Sequence, residues 1–383
     1  MTKLTSNKHS VFFVLVTLLM LAMVWFGSVT HIDFGLNQNR GVTFPTGRVL
    51  EVVSDRTSLS PHGIRMGRQD LRVELLTGES RGRVVEAQNT LLMGHSVFAQ
   101  EGDRLVIYFE QAPNTDDYFA RVHSYERATA IYFVVLLLIG LLAAVFGKSG
   151  LKSAFGLVFT FVVIIFLLIP LITMGAPPAL LTFGLSLCIV AVSLIAIMGF
   201  EKKTYISIAG TAIGIVAYSL FYIIISGLLR ITGLNVEAVS TLVVIDFNVA
   251  IGELLFCAIL IASLGAVMDV AVSLASVISE ISAANPRAGF KTLFSSGMKV
   301  GKDMIGSSTN TLILAFTGTF FISLLLFRLN NFQYGMLINR VDIAIEVLRA
   351  VSASAAMILC APATAVIGAW VYGGRAQGRA KPT

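Results

Sequence analysis

Residues Ser153 to Met174 read SAFGLVFTFVVIIFLLIPLITM, a run of 22 residues without a charged side chain. A helix needs about 20 mostly apolar residues to cross the hydrocarbon core of a bilayer. The whole chain is 56% hydrophobic and only 13% charged, whereas a soluble domain is about 25% charged. The run therefore predicts a transmembrane helix, in a chain with too little charge to cover a water-facing surface.

Seven further runs meet the same criterion, so the sequence predicts a polytopic membrane protein with eight transmembrane helices. The eight runs are Val11 to Thr30, Ala128 to Phe146, Ser153 to Met174, Ala179 to Phe200, Tyr205 to Leu229, Phe247 to Met268, Leu312 to Phe327 and Ala350 to Tyr372.

The basic residues in the connections predict the orientation of these helices. If the N-terminus is cytoplasmic, the inner segments carry thirteen Lys or Arg, and the short outer loops carry Arg230, Arg328 and Arg340. Lys and Arg are enriched on the cytoplasmic side of a membrane. The bias predicts a bacterial cytoplasmic (inner) membrane protein with both termini inside. The net charge is +6, and the excess basic residues lie beside the apolar runs. We therefore expect these residues to lie at the surface of the lipid bilayer, and we expect no nucleic-acid partner.

The first run is interpreted as an uncleaved transmembrane anchor over residues 1–30 rather than a cleaved signal peptide. Its apolar stretch is long, and no A-x-A-like cleavage site follows it. Residues 128–373 are expected to form a seven-helix transmembrane domain, and residues 374–383 a cytoplasmic tail.

Residues 31–127 are predicted to form an extracytoplasmic all-β domain. Apolar residues alternate with polar ones in Leu71 to Leu75 and in Leu105 to Phe109, the period of a half-buried strand. Val49 to Val53 suggests an earlier strand, and Tyr118 to Val122 a later one. Five or six short strands in so few residues predict a small barrel, OB-like or SH3-like.

Two acidic residues of the sixth span are candidates for an ion path, because ionisable groups inside a membrane are costly. These are Glu253, near the outer end of the span, and Asp269, at its inner end. Ser273, Ser276 and Glu280 follow Asp269 at spacings of four, three and four, on one helical face. The helix is expected to continue into a cytoplasmic amphipathic segment over residues 270–306, either as an ordinary interfacial helix or as a gating element.

A run of polar side chains is predicted to open the seventh helix: Ser307, Ser308, Thr309, Asn310 and Thr311. Such groups can coordinate a cation, relay protons through water or bond to neighbouring helices. A hydrogen-bonded helix cap is the alternative, because Ser and Thr favour helix starts.

Three further features have structural interpretations, and the prolines also have a functional one, because broken helices often line a cavity in transporters. Glu346 and Arg349 can pair at i,i+3, most simply as a structural clasp at the outer interface. Pro170 and Pro362 can each kink a helix and free a backbone carbonyl, although proline is also common in ordinary membrane helices. Gly210 and Gly214 form a small-xxx-small pair that predicts close helix packing.

The sequence carries no signature of an enzyme or of a cofactor. It contains no Walker motif, no H-E-x-x-H and no G-x-S-x-G, so no catalytic residue can be named. The three cysteines lie in apolar runs and the five histidines lack metal-ligand spacing. We therefore expect no metal and no cofactor.

The chain resembles the bacterial YibE/F family of multipass membrane proteins along nearly its whole length. The segments that carry the resemblance are Leu264 to Ser273, LGAVMDVAVS, and Gly297 to Leu312, followed by Glu346, Arg349 and Pro362. The resemblance implies an anchor, a small β-rich domain and seven further helices. It supplies no activity.

A second likeness is to the membrane domains of the RND and SecD/SecF type. It rests on Gly265-x-x-x-Asp269 at the end of one span, an amphipathic helix, and the Ser307 to Thr311 run at the next span. Those proteins couple proton flow to movement of an outer domain. The chain departs from them in its eight spans where six are expected, and in having Lys302 and Asp303 where an Arg usually stands.

Two functions follow as leading hypotheses. The first is a transporter or permease with an unknown substrate, for which Asp269 is the candidate for ion coupling. The second is a non-transporting accessory protein whose β domain binds a protein partner. Under either hypothesis, the alternatives for assembly are a homo-oligomer and a complex with a membrane protein partner. An intramembrane enzyme has the least support, since no nucleophile or metal set is visible.

Overall fold

A computed structural model describes residues 2–30, 42–94, 97–111, 117–231 and 251–378, with the side chains of 2–9, 251 and 374–378 left out. These ranges are the described part of the chain. The first residues of the predicted β domain, 31–41, the start of the predicted sixth span, 247–250, and the end of the predicted tail, 379–383, lie outside them. The chain divides into two compact units, Met1–Ile32 with Leu142–Thr383, and Asp33–Leu141.

The helices of the chain are numbered in order. They are α1 Thr2–Val29, α2 Ala128–Phe146, α3 Lys148–Val163, a π-helical turn Ile164–Leu168, α4 Ile169–Thr173, α5 Pro178–Met198, α6 Lys202–Leu228, α7 Ile251–Ala284, α8 Phe290–Leu329, α9 Tyr334–Ile338 and α10 Val341–Gly378.

Eight helices in the described part of the chain are long and apolar enough to cross a membrane. α3, the π-helical turn and α4 together form one of them, Lys148–Thr173. The surfaces of these helices are apolar as well: Leu314 is 61% exposed, Ile322 71% and Trp370 75%. A helix that is hydrophobic on its exposed side needs an apolar surrounding. The described helices thus indicate a multi-pass membrane protein, as the sequence predicted.

The β unit contains six strands in the described residues. They are β1 Val42–Thr43, β2 Thr46–Leu59, β3 Arg65–Leu75, β4 Val84–Leu91, β5 Arg104–Gln111 and β6 Tyr118–Tyr125.

Five of these strands pair in a closed ring. β2 pairs with β3, β3 with β4, β4 with β6, β6 with β5, and β5 again with β2. The β4–β6 pair is parallel and the others are antiparallel. The alternating residues of Leu71 to Leu75 and Leu105 to Phe109 form the core, each at most 2% exposed. The predicted strands are confirmed, because period-two alternation places one side of each strand inside.

The helical unit is held together by small residues at the contacts between α6, α7, α8 and α10. A Cβ at Gly210 of α6 would overlap the Thr364 Oγ1 of α10, and one at Gly214 would lie 3.1 Å from Cys360 Cβ. A Cβ at Gly297 of α8 would lie 3.0 Å from Ile278 of α7, whereas Gly301 makes ordinary contacts with α7 and α10. Small side chains let helix backbones approach closely. The packing predicted for Gly210 and Gly214 is confirmed.

The α6–α10 contact can be tested with Gly210→Ala. The added methyl group has to displace the buried Thr364, and overpacking of this kind costs about 1–3 kcal/mol. We expect a lower thermal unfolding temperature for the purified protein in detergent. Gly227→Ala is the matched control, because it lies on the same helix with no atom within 4 Å of its Cβ position. Equal unfolding temperatures for the two variants would contradict the packing.

Candidate functional site

A cavity of about 400 Å³ lies between α3, α5 and α7. Its wall is apolar except for three hydroxyl groups, those of Ser153, Thr160 and Ser193. Ser153 and Thr160 donate to carbonyls of their own helix, at 3.2 Å and 3.0 Å. Ser193 is 4% exposed, and its Oγ has no hydrogen-bond partner in the described part of the chain. A buried hydroxyl without a partner is costly, so Ser193 is positioned for an additional polar contact.

A second cavity of about 380 Å³ lies between α7, α8 and α10. Its apolar wall includes Leu255 of α7 and Phe320 of α8. Its polar lining includes four charged side chains, Arg340, Asp342, Glu346 and Arg349. Arg340 Nη2 lies 2.6 Å from Asp342 Oδ2, and Arg349 Nη1 lies 3.0 Å from Glu346 Oε1. The lining charges therefore form two ion pairs.

Asp269 lies beside the first cavity rather than beside the polar run of α8. It is exposed and directly follows the lining residue Met268. At 100° per residue it shares a face with Ala262 and Gly265, which also line that cavity. The α7 face that packs on α8 carries Leu274 and Ile278, opposite Gly301 and Gly297, and points about 140° or more away from Asp269.

The polar run Ser307 to Thr311 does not open a helix. α8 begins at Phe290, so the run lies in its middle, and the expected start of the seventh helix was wrong. Ser and Thr are tolerated inside a helix when they bond back to a carbonyl, as Thr311 Oγ1 does to Ser307 O at 3.0 Å.

Consecutive helical positions point in different directions, so the five side chains of this run do not converge on one site. Ser307, Asn310 and Thr311 are exposed, whereas Ser308 and Thr309 are half-buried. Thr309 Oγ1 is buried and has no partner among the described residues. Thr309 is consequently the residue of the run whose buried hydroxyl is available for a further hydrogen bond inside the helical unit.

Glu253 lies far from Asp269 and caps another helix. The two residues are sixteen positions apart on α7, which separates them by about 24 Å. Glu253 Oε2 accepts a hydrogen bond from Ala179 N at 3.0 Å. Because Pro177 and Pro178 have no N–H, Ala179 is the first backbone donor at the start of α5. Glu253 thus satisfies a helix N-terminus.

The segment after Asp269 continues α7 without a break to Ala284. Its apolar face, including Val270, Leu274 and Ile278, is fully buried. This face packs against α8, where Gly297 and Gly301 accommodate the Ile278 and Leu274 side chains. The chain then turns through Asn285 to Gly289 before α8 begins. The apolar face of residues 270–284 is therefore covered by protein.

Both predicted kink prolines lie inside helical segments. Pro170 follows the π-helical turn and has no N–H to donate to the Phe166 carbonyl, one turn earlier. Gly27 of α1 packs on that carbonyl, where a Cβ would lie 2.8 Å from Phe166 O. α10 runs through Pro362 from Val341 to Gly378. A kink at Pro362 stays a prediction.

Sequence reasoning missed the cavity between α3, α5 and α7 and the role of Ser193. Ser193 stands alone in an apolar run, and no spacing distinguishes it from other membrane-helix serines. Among the three hydroxyl groups of the cavity wall, only that of Ser193 has no partner among the described residues, and this depends on the neighbouring helices. Within the same residues, no three His, Cys, Asp or Glu side chains are grouped as metal ligands would be.

The long apolar helices in the described part of the chain indicate the class of multi-pass membrane proteins, and two cavities lie along α7. The model of the YibE/F-like protein family matches residues 134–374. The chain therefore belongs to the YibE/F-like family, and the resemblance noted in its sequence is confirmed. The match includes both cavities and begins after β6, the last strand of the β unit. No curated protein and no solved structure matches the chain.

The capping role of Glu253 predicts a difference between two substitutions. Glu253→Ala removes the acceptor for Ala179 N and should lower stability by about 1 kcal/mol, as the loss of a helix cap does. Glu253→Gln keeps an acceptor and should lose less. Thermal unfolding of the purified variants measures both effects. Equal losses for Ala and Gln would mean that the charge of Glu253, rather than its capping bond, matters.

Proposed function

We propose that the chain is a membrane permease whose solute path follows α7. The observation that carries the proposal is that α7 borders both cavities, with Leu255 in the wall of one and Ile261 to Met268 in the wall of the other. About 9 Å of helix separates the two linings. Binding sites in helical membrane proteins are often built between helices in this way.

The part of α7 between the two linings is closed by aromatic packing. Phe256 is 7% exposed, and Ile259 and Leu260 are at most 1% exposed. The Tyr218 and Tyr222 rings of α6 lie 5.4 Å and 5.1 Å from the Phe256 ring. Both hydroxyls donate to α7 carbonyls, at 3.1 Å and 2.9 Å. This arrangement is what an occluded permease requires, with a cavity on either side of a barrier.

Cavities of this size favour a permease over a simple anchor. Small-molecule sites are concave spaces of about 300–1,000 Å³. Helices that only anchor a domain gain nothing from two spaces of about 400 and 380 Å³. The unpartnered Ser193 hydroxyl at the first cavity adds a polar contact point for a solute or water.

Asp269 is the residue that we assign to ion coupling. Its exposed carboxylate lies one turn beyond Gly265, on the face of α7 that borders the cavity. The basic residues of the connections support cytoplasmic termini in a bacterial inner membrane. In that orientation, Asp269 and the first cavity belong to the cytoplasmic half of the protein.

We assign the β unit to an OB-like barrel that receives a solute or a partner protein. The ring order β2-β3-β4-β6-β5, with one parallel pair between β4 and β6, is consistent with a five-stranded Greek-key barrel. The last strand, β6, ends at Tyr125, three residues before α2 begins at Ala128.

An aromatic cluster on the β unit supports the accessory function as a second candidate. Phe44 and Phe119 are 54% and 47% exposed. The Phe44 ring lies 5.6 Å from Tyr108 and 5.2 Å from His123, and the Tyr108 ring lies 6.3 Å from Phe119. Exposed aromatic groups that touch one another are typical of protein-binding surfaces.

Complementation of a deletion strain, read by untargeted profiling of cellular and secreted solutes, tests the permease. We expect the deletion to shift at least one solute across the membrane and the native gene to reverse the shift. Asp269→Asn, which removes the charge at nearly constant volume, should reach the membrane in normal amounts but fail to reverse it. Asp269→Glu should retain activity.

Glu280→Gln is the matched control, because Glu280 lies on the same face of α7 three turns beyond Asp269 and outside the cavity wall. It should complement fully. An unchanged solute profile in the deletion strain would contradict the permease. If Asp269→Asn complements fully while Phe44→Ser with Phe119→Ser does not, the accessory function replaces it.

A further inference from the structure

The cavity between α7, α8 and α10 contains an arginine with one unused hydrogen-bonding edge. Arg349 Nη1 lies 3.0 Å and 3.4 Å from the two Glu346 carboxylate oxygens. Arg349 Nε is buried and has no partner in the described part of the chain. Arg presents its Nε and Nη2 donors as a fork that fits the two oxygens of an oxyanion. Glu346 binds the other nitrogen and leaves this fork free of its carboxylate.

The other arginine of the cavity is already engaged. Both Nε and Nη2 of Arg340 donate to Asp342 Oδ2, at 3.2 Å and 2.6 Å. Its guanidinium also lies 4.6 Å from the centre of the Phe327 ring. The Nε–Nη2 edge of Arg340 is therefore occupied by Asp342, and Arg340 is only a part of the cavity wall. The same edge of Arg349 retains donors for a ligand.

The lining predicts the kind of anion. Two guanidinium groups and two carboxylates leave the wall without net charge, which disfavours a multiply charged ion such as phosphate. Leu255, Phe320 and Ile345 provide an apolar surface around the charged groups. A volume of about 380 Å³ lies within the range of small-molecule sites.

We infer that this cavity binds a singly charged oxyanion attached to a compact apolar body, through the Nε–Nη2 edge of Arg349. The inference deepens the proposed permease by naming the chemistry of its solute, and its physiological meaning rests on that proposed function. The same chemistry is present in a soluble organic carboxylate and in the phosphodiester of an anionic lipid. Binding can be measured without transport, so the failure of one proposal is separable from the failure of the other.

The test is the unfolding temperature of the purified full-length protein in detergent, titrated with sodium benzoate. A ligand that binds the folded state raises this temperature with its concentration, and we expect a rise of about 2 °C or more at saturation. Benzamide has the same ring without the charge and should give no rise. Inorganic phosphate should have less effect than benzoate.

Two substitutions relate the effect to Arg349. Arg349→Lys keeps the charge but removes the fork, and should abolish the benzoate response. Glu346→Gln removes one negative charge from the cavity wall and should shift the response to lower benzoate concentrations. Arg328→Lys is the matched control, since Arg328 is exposed on α8 and outside the cavity lining, and it should respond as the native protein does.

Phosphatidylglycerol added to delipidated protein distinguishes the two sources of the anion. A rise with this lipid that Arg349→Lys abolishes, without any rise from benzoate, would assign the site to a lipid headgroup. The inference is overturned if neither probe raises the unfolding temperature, or if Arg349→Lys and Glu346→Gln both respond like the native protein.

Discussion

Close packing of small residues around α10 is the constraint on which the helical unit depends. Ala356, Ala361 and Ala365 are fully buried along one stretch of α10. Gly210 of α6 meets this helix where a larger side chain would overlap Thr364, and Gly297 and Gly301 of α8 contact it at Ala365 and Ala361. Because lipid supplies no hydrophobic driving force between helices, such contacts must provide the association. They fix α7 between α6, α8 and α10, so that its remaining surface borders the cavities.

α7 consequently presents two different faces. Its buried residues Val270, Leu274 and Ile278 commit one face to packing, while Ala262, Gly265 and the adjoining Asp269 face another way. An ionisable group held on a rigid helix beside a cavity can change charge without rearranging the helix core. The proposed permease uses this separation: the packed face preserves the fold, and the other face contacts the solute or ion.

The sequence predicted those features that depend on local pattern. Eight apolar runs and the alternation in Leu71 to Leu75 identify helices and strands because length and period are properties of the chain itself. The partners of side chains were not predictable in this way. Glu253 is an acidic residue in a predicted membrane helix, which suggested an ion path. Its carboxylate instead accepts a hydrogen bond from Ala179 N, on a helix that is distant in sequence. The Ser307 to Thr311 run predicted a helix start, because its polar side chains precede a long apolar run. The run lies instead inside a helix of 40 residues. The cavities arise from three-helix packing, which no single run encodes.

The accessibility of Ala262→Cys to a charged, membrane-impermeant methanethiosulfonate reagent tests the central claim most directly. A thiol reacts as the thiolate, which forms in water and is disfavoured in lipid or in a packed core. The account predicts modification well above the background of the three native cysteines, because Ala262 lines the cavity between α3, α5 and α7. Ala271→Cys, on the fully buried face of the same helix, should not react. Equal and negligible reaction at both positions would mean that the cavity holds no water path, and would contradict the account.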